Sequence, residues 1–259
     1  MKTHYIIPIL LIISVSSCSK KENKNSEPEI QTTTISDINA PIEGFNIEKS
    51  DPSAIYLADK IMEAIGGRMA WDKIKYLEWE IDGRKYYWNR TEDIVRLDLL
   101  ADTLSMIFNI DKQTIKVKKN GISIESPDSL ATYLQSANDM WKMDSRLLTI
   151  PFEIKGDGVT LYYIGEDQVQ DSLEAHRIQM AFEQSSTPFL YDLWFNPETN
   201  LITQWAYYPD HSHTEPQFKE KWGGYNKYGN VLFSTKRGER NIENIVASEH
   251  LDQKLFTLD

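Results

Sequence analysis

The 259-residue chain has a single cysteine, Cys18, so no disulfide within the chain can staple the fold. Glycine and proline, at 12 and 10 residues, are too scarce for a collagen-like or low-complexity chain. Cations are short as well: 28 Lys and Arg stand against 39 Asp and Glu, a net charge of -11. Such a balance repels phosphate backbones unless basic residues are segregated, and no basic patch is visible beyond residue 50, which argues against a nucleic-acid partner. The longest apolar run, Ile6 to Val15, falls well short of the roughly 20 residues needed to span a bilayer. The sequence also lacks the G-x-S-x-G elbow, the P-loop, the H-E-x-x-H pair and the dinucleotide-binding glycine string. What is present, 41% hydrophobic and 26% charged residues, is the composition of a globular chain. At about 150 residues per domain this length allows one large domain or two small ones, and it needs no covalent staple.

The first residues place Lys2 ahead of the run Ile6–Ile13, the charged and apolar parts of a secretory signal. The run ends in Val15-Ser16-Ser17-Cys18. This tetrad resembles the lipobox of bacterial lipoproteins, and the resemblance implies that residues 1–17 are a signal peptide and that Cys18 is the lipidated mature N-terminus. Acyl chains contribute about 0.8 kcal/mol per buried methylene, so a triacylated cysteine is a lasting membrane anchor. Residues 18–50 begin polar and without aromatics (Ser19 to Glu29, then Thr32-Thr33-Thr34), and the whole stretch is expected to be a disordered tether. Lys20-Lys21-Glu22 loosely resembles the short charged stretch that directs some lipoproteins to the cell surface. The expected location is therefore the cell envelope, lipid-anchored to the outer membrane, on either its periplasmic or its surface face.

Residues 51–259 are expected to form one folded domain. Asp51-Pro52 is a helix start, and Ala54, Leu57, Ala58, Ile61, Met62 and Ile65 follow at helical spacing before Gly66-Gly67 stops it. A short helical turn should carry Met69 and Trp71. From Leu77 the period changes to two, and short strands are expected through Glu125, with Asn120-Gly121 the strongest hairpin signal. Ser126-Pro127 opens a second helix, with Leu130, Tyr133, Leu134, Ala137, Met140 and Trp141 on one stripe and a bend or break expected near Asp144. Strand signals then return and run to Ser248. Helix, strands, helix and strands joined by short turns predict an α+β fold: a single curved antiparallel sheet, a half-barrel, with helices packed over one face. About ten strands exceed what an open sheet holds without curling.

Two neighbouring strands carry the most information. Tyr191, Leu193 and Phe195 alternate with Leu190, Asp192 and Trp194, while Trp205 and Tyr207 alternate with Ala206 and Tyr208. Both faces are largely apolar, unlike a sheet with one face in water, so something must cover each. One reading is a thick core. Another is that the curved sheet and a helical lid enclose an apolar cavity, the usual form of a small-molecule site. On the second reading the ligand-binding candidates are Leu193, Trp194, Phe195, Trp205 and Tyr207 on the wall, with Met140 and Trp141 on the lid.

The order of elements is similar to the LolA/LolB-type lipoprotein carriers, a layout that implies a half-barrel capped by helices over a greasy hollow. Residues 58–67 (Ala58-Asp59-Lys60-Ile61-Met62-Glu63-Ala64-Ile65-Gly66-Gly67), residues 158–167, Thr203-Gln204-Trp205-Ala206-Tyr207, and Tyr225–Asn230 with Arg237-Gly238-Glu239-Arg240 resemble an uncharacterised family of secreted bacterial lipoproteins. That resemblance covers about residues 53–248. For an anchored chain the LolA/LolB-type layout implies a LolB-like acceptor or a surface lipid binder, not a soluble shuttle.

Enzyme signatures are sparse. Asp210-His211-Ser212-His213-Thr214-Glu215 holds imidazoles and carboxylates suited to zinc, but a site needs a third or fourth ligand that the spacing does not supply. With Cys18 lipidated no thiol nucleophile remains, and Glu166, Asp167 and Glu239 read as turn and surface carboxylates. The expectation is a noncatalytic, monomeric binding protein without metal or cofactor, its partners being the membrane through Cys18 and an apolar or acylated ligand. A surface glycan binder, a hydrolase or metalloenzyme, and a purely structural role are the alternatives.

Overall fold

A computed structural model describes residues 39–169, 173–183, 188–210, 212–250 and 252–258. The stretch expected to be a signal segment, Cys18 and the expected tether as far as residue 38 lie outside the described residues, as does His211.

Where the chain is first described it is already folded. Asn39 and Phe45 are buried, Ile42 N–H donates to the Lys155 carbonyl and Asn46 N–H to that of Val159. The folded part therefore begins before Asp51, and residues 39–50 are not tether. Phe45 supplies the apolar anchor that the more polar stretch upstream lacks.

Helix α1 (Pro52–Ala64) runs where the 3.6-residue period places it, with Ala54, Ala58, Ile61 and Met62 buried. Asp51 does not cap it: its carboxylate accepts the Tyr163 N–H instead, tying the helix start to a strand. Gly66, at φ 112°, turns the chain into α2 (Gly67–Lys73). A Cβ at Gly66 would stand 2.2 Å from the Asn230 carbonyl oxygen, so this glycine permits the close approach of the helical corner to a distant hairpin.

Six strands follow: β1 (Tyr76–Ile81), β2 (Arg84–Asn89), β3 (Ile94–Leu99), β4 (Leu104–Asn109), β5 (Thr114–Lys119) and the short β6 (Ile122–Ser123). Asn120 and Gly121 both have positive φ, 52° and 77°, as a primed two-residue hairpin turn requires. Helix α3 (Pro127–Thr149) then passes straight through the expected break at Asp144. The buried Asp144 carboxylate is satisfied by Tyr86 Oη at 2.6 Å and Arg84 Nε at 2.6 Å, so the helix has no reason to open there. A 3₁₀ turn, Ile150–Phe152, ends it.

The remaining described residues hold eight strands, β7 (Thr160–Gln168), β8 (Glu174–Phe182), β9 (Phe189–Phe195), β10 (Ile202–Tyr208), β11 (Phe218–Tyr228), β12 (Val231–Arg237), β13 (Arg240–Asn241) and β14 (Glu243–Ser248), and a 3₁₀ turn, Gln253–Phe256. All pairings are antiparallel, but they make two seven-stranded sheets where one was expected. The first runs β14-β1-β2-β3-β4-β5-β6 and the second β13-β12-β11-β10-β9-β8-β7. The chain crosses between them at Ile242, the one residue separating β13 from β14. Fourteen strands are more than an open sheet carries without splitting or curling, and the break falls at two-residue β13, too short to carry pairing further.

Among the described residues the main core joins both sheets and the three α-helices. Helix α3 touches both sheets: Trp141 packs among Trp79, Tyr86, Trp88 and Phe108 of the first, while the buried Arg237 of β12 donates to the Leu147 carbonyl near the helix end. That carbonyl lies in the last turn, where helix oxygens lack intrahelical donors and a cation is favoured. Among the described residues no helix is long and apolar enough to cross a membrane.

Candidate functional site

The aromatic strands register as the alternation requires: Tyr191 is opposite Tyr207, Leu193 opposite Trp205, and Asp192 opposite Ala206. On the inner face the rings touch each other. Tyr191 stacks on Trp205 with centroids 5.7 Å apart and planes 8° apart, and Trp205 meets Trp222 edge-on at 5.2 Å. Leu193, Phe195 and Trp205 are fully buried in this packing. They are core side chains, and the dry hollow expected behind them is occupied by their own rings and by those of neighbouring strands.

Trp194 belongs to a different environment. It lies on the outer face with Val169, Ala175, Ala206 and Tyr208. Its indole N–H donates to Asp167 Oδ2 at 2.9 Å, and Arg177 and Lys219 sit over its ring at 4.8 and 4.5 Å. Beside it the buried Asp192 carboxylate accepts from Arg177 and, at 2.9 Å, from Gln179. Burial and this carboxylate push the Tyr208 phenol up to about 12. The second face of these strands is thus covered by a polar network around one tryptophan, and Trp194 shares no surface with Leu193.

The remaining candidates lead toward solvent. Tyr207 is half-buried and continues the inner aromatic ladder to Phe189 at 6.2 Å and Phe218 at 5.6 Å, with Phe182 stacked on Phe189 at 4.5 Å. Over this outer end stands Arg146 of α3, its guanidinium carbon 4.8 Å from the Phe189 ring centre, 5.2 Å from Phe182 and 5.8 Å from Tyr191. Burial pushes the Tyr191 phenol up to about 12, opposed in part by Arg146.

Arg146 also borders a cleft of about 430 Å³ formed by Ile110, Gln113, Asn138, Trp141, Lys142, Ser145 and Glu153. Asn138, Lys142 and Arg146 recur every four residues along one stripe of α3, and Trp141 and Ser145 form the adjoining row. The cleft is closed at one end by Asn138 Nδ2 donating to Gln113 Oε1 at 2.9 Å. Arg146 Nε approaches Glu153 Oε2 only to 3.8 Å, while the Glu153 carboxylate accepts the Thr149 hydroxyl. Trp141 is the predicted residue that borders this cleft. Met140, its neighbour in sequence, is turned about 100° around the helix and packs, half-buried, against the core.

A helix pinned by Tyr86, Arg84 and Arg237 is not a loose lid over a void, so the candidate site is the cleft beside α3 together with the half-buried end of the ladder. Sequence reasoning missed Arg146, Lys142, Glu153, Phe182 and Phe189. The available signal was the pair of cations four residues apart beside the Trp141 stripe.

A larger cleft of about 520 Å³ lies at the far ends of β7 and β8, lined by Glu166, Asp167, Gln168, Glu174, His176 and Pro197. It contains none of the predicted ligand-binding residues. Of the suggested metal-binding stretch, His213 Nδ1 lies 2.8 Å from Asp210 Oδ2, both exposed, and no cluster of three or more His, Cys, Asp or Glu suited to a metal occurs among the described residues. Burial and Asp111 raise the Asp93 carboxyl, but Asp93 borders neither of these clefts.

These features define an α+β protein of two antiparallel sheets with a helix-flanked cleft. No family model matches the chain, and no curated protein matches it. Among solved structures it is similar to the crystal structure of a DUF1329 family protein from Desulfovibrio piger, at 13% identity and a TM-score of 0.44, over 80% of this chain and 98% of that one.

Proposed function

We propose that this chain is a noncatalytic binding protein of the cell envelope, tethered to the outer membrane through lipidated Cys18, that holds an apolar or acylated ligand along the half-buried aromatic ladder beside α3. The observation that carries the reading is the ladder itself. Rings that begin in the core at Trp205 and Tyr191 continue outward through Tyr207, Phe189 and Phe182 to Arg146, which stands over the last two and also borders the cleft, giving an apolar strip with a charged end. Such a strip suits a molecule with a chain and a polar terminus, because rigid rings bury large area at small entropic cost. The lipobox resemblance and the LolA/LolB-like element order point to the same chemistry, with the ligand on a ladder edge in place of an enclosed hollow.

Native mass spectrometry of the full chain extracted gently from its own cells tests this. The expected result is a bound species of acyl-chain mass that is lost on delipidation and regained with a fluorescent fatty acid. A homogeneous empty protein that takes up no fatty acid contradicts the proposal. A glycan binder would instead take up oligosaccharide with quenching of its tryptophan emission.

A further inference from the structure

The cleft beside α3 carries a charge imbalance of the opposite sign to the whole chain, whose formal net charge is -11. Two of its lining residues are cations, Lys142 and Arg146, and one is an anion, Glu153. The cations stand four residues apart on one helix face, an arrangement in which like charges repel. Glu153 relieves little of this. Its nearest approach to Arg146 is 3.8 Å, it already accepts the Thr149 hydroxyl, and it also lies within electrostatic reach of Arg68. Arg68 is buried, and its Nε and Nη2 have no hydrogen-bond partner among the described residues. Within the cleft lining one carboxylate thus faces two cations, and the same carboxylate is shared with the buried Arg68, whose stronger carboxylate neighbour is Asp72.

We propose that the ligand of this cleft is an amphiphile with a single anionic head group, a carboxylate or a phosphate, received by Arg146 with Lys142 while its chain lies along Phe189, Phe182 and Tyr207. The inference rests on the binding role proposed above and adds the head-group charge to it. Arg146 suits the task because its guanidinium is planar and offers paired donors to a carboxylate or phosphate, while its central carbon already stands 4.8 and 5.2 Å from the centres of the Phe189 and Phe182 rings that would receive the chain. Glu153 acts as a weak internal competitor that the ligand displaces from Arg146.

The test compares four probes on the full chain by calorimetry: palmitic acid labelled with carbon-13 at the carboxyl, hexadecyl phosphate, hexadecanol and inorganic phosphate. Both anionic amphiphiles are expected to bind at least tenfold more tightly than the alcohol, the scale of one charge-assisted contact. The labelled carboxyl should titrate below its range in free solution. Arg146→Gln is expected to bring the acid down to the alcohol's affinity. Glu153→Gln is expected to tighten the acid and leave the alcohol unchanged, a gain that damage to the fold does not produce. Equal binding of acid and alcohol, or a Glu153→Gln variant without gain, overturns the anionic head group while leaving the acyl-binding role intact. Failure of every amphiphile overturns the binding role itself. Inorganic phosphate alone binding as tightly as hexadecyl phosphate makes this a free-anion site and overturns the amphiphile.

Discussion

The two sheets solve the problem of their outer faces differently. In the first, Leu77, Trp79, Tyr86, Val95, Leu97 and Met106 point inward, while on the other face, where Tyr76, Asn89, Ile107 and Asn109 are also buried, Glu78, Glu80, Lys85, Arg96 and Asp98 form half-buried ion pairs, such as Lys85 with Glu78 at 2.8 Å. In the second, the outer face of β8 to β10 buries a carboxylate, Asp192, and an indole, Trp194, completely. A face whose charges still touch water gains little from each pair, whereas a face that desolvates a charge depends on every partner of that charge. The second sheet is therefore the less forgiving of the two, and it is also the one that carries the proposed ladder.

Substitutions can break or sharpen this contrast. The largest effect is expected from Asp192→Ala, which leaves Arg177 only the more distant Asp167 at 3.9 Å and takes the acceptor from Gln179; about 3 kcal/mol of stability should be lost in denaturant titration. A loss under 1 kcal/mol would place the second sheet's outer face in the same class as the first. Next comes Arg237→Met, which keeps the volume against Trp222 but removes the donor to Leu147 at the end of α3; about 2 kcal/mol is expected, with the helix end losing amide-exchange protection first. High pH acts on both faces of the second sheet. Tyr191 inside and Tyr208 outside have phenols raised to about 12, so the fold favours their protonated forms. The stability they contribute is complete below the ordinary phenol range near 10 and is lost as the pH rises through about 12. Because the chain has 13 tyrosines, the two must be followed by their own ring NMR signals, and ionisation of Tyr191 or Tyr208 at pH 10 without unfolding would contradict their burial. The smallest effect is expected on the first sheet: Glu78→Gln should cost about 1 kcal/mol or less, and less again in high salt.

Much of this architecture is legible in the chain. The 3.6-residue stripe of α1, the Ser126-Pro127 start of α3, the Asn120-Gly121 turn and the faces of β9 and β10 follow from local chemistry and register alone. The division into two sheets does not, because it depends on β13 ending after two residues, a property of distant pairing and not of Arg240-Asn241 themselves. Asp144 misleads for a similar reason. A carboxylate in a helical stripe reads as a break until Tyr86 and Arg84, about sixty residues earlier, are seen to satisfy it. Of the proposed site only Trp141, Trp205 and Tyr207 were singled out from sequence, and Phe182 and Phe189 were not; Leu193 and Phe195 fill the core, Trp194 faces outward, and the Arg146 that meets the ladder comes from another element.

The central claim is the place of the ligand. Fatty acid carrying a nitroxide on its chain, added to the full isotope-labelled protein, should broaden NMR signals of Trp141, Phe189 and Tyr207 by paramagnetic relaxation, with those of His176 and Ala175 at the far cleft unaffected. Broadening centred on His176, or none at any saturating concentration, would contradict the account.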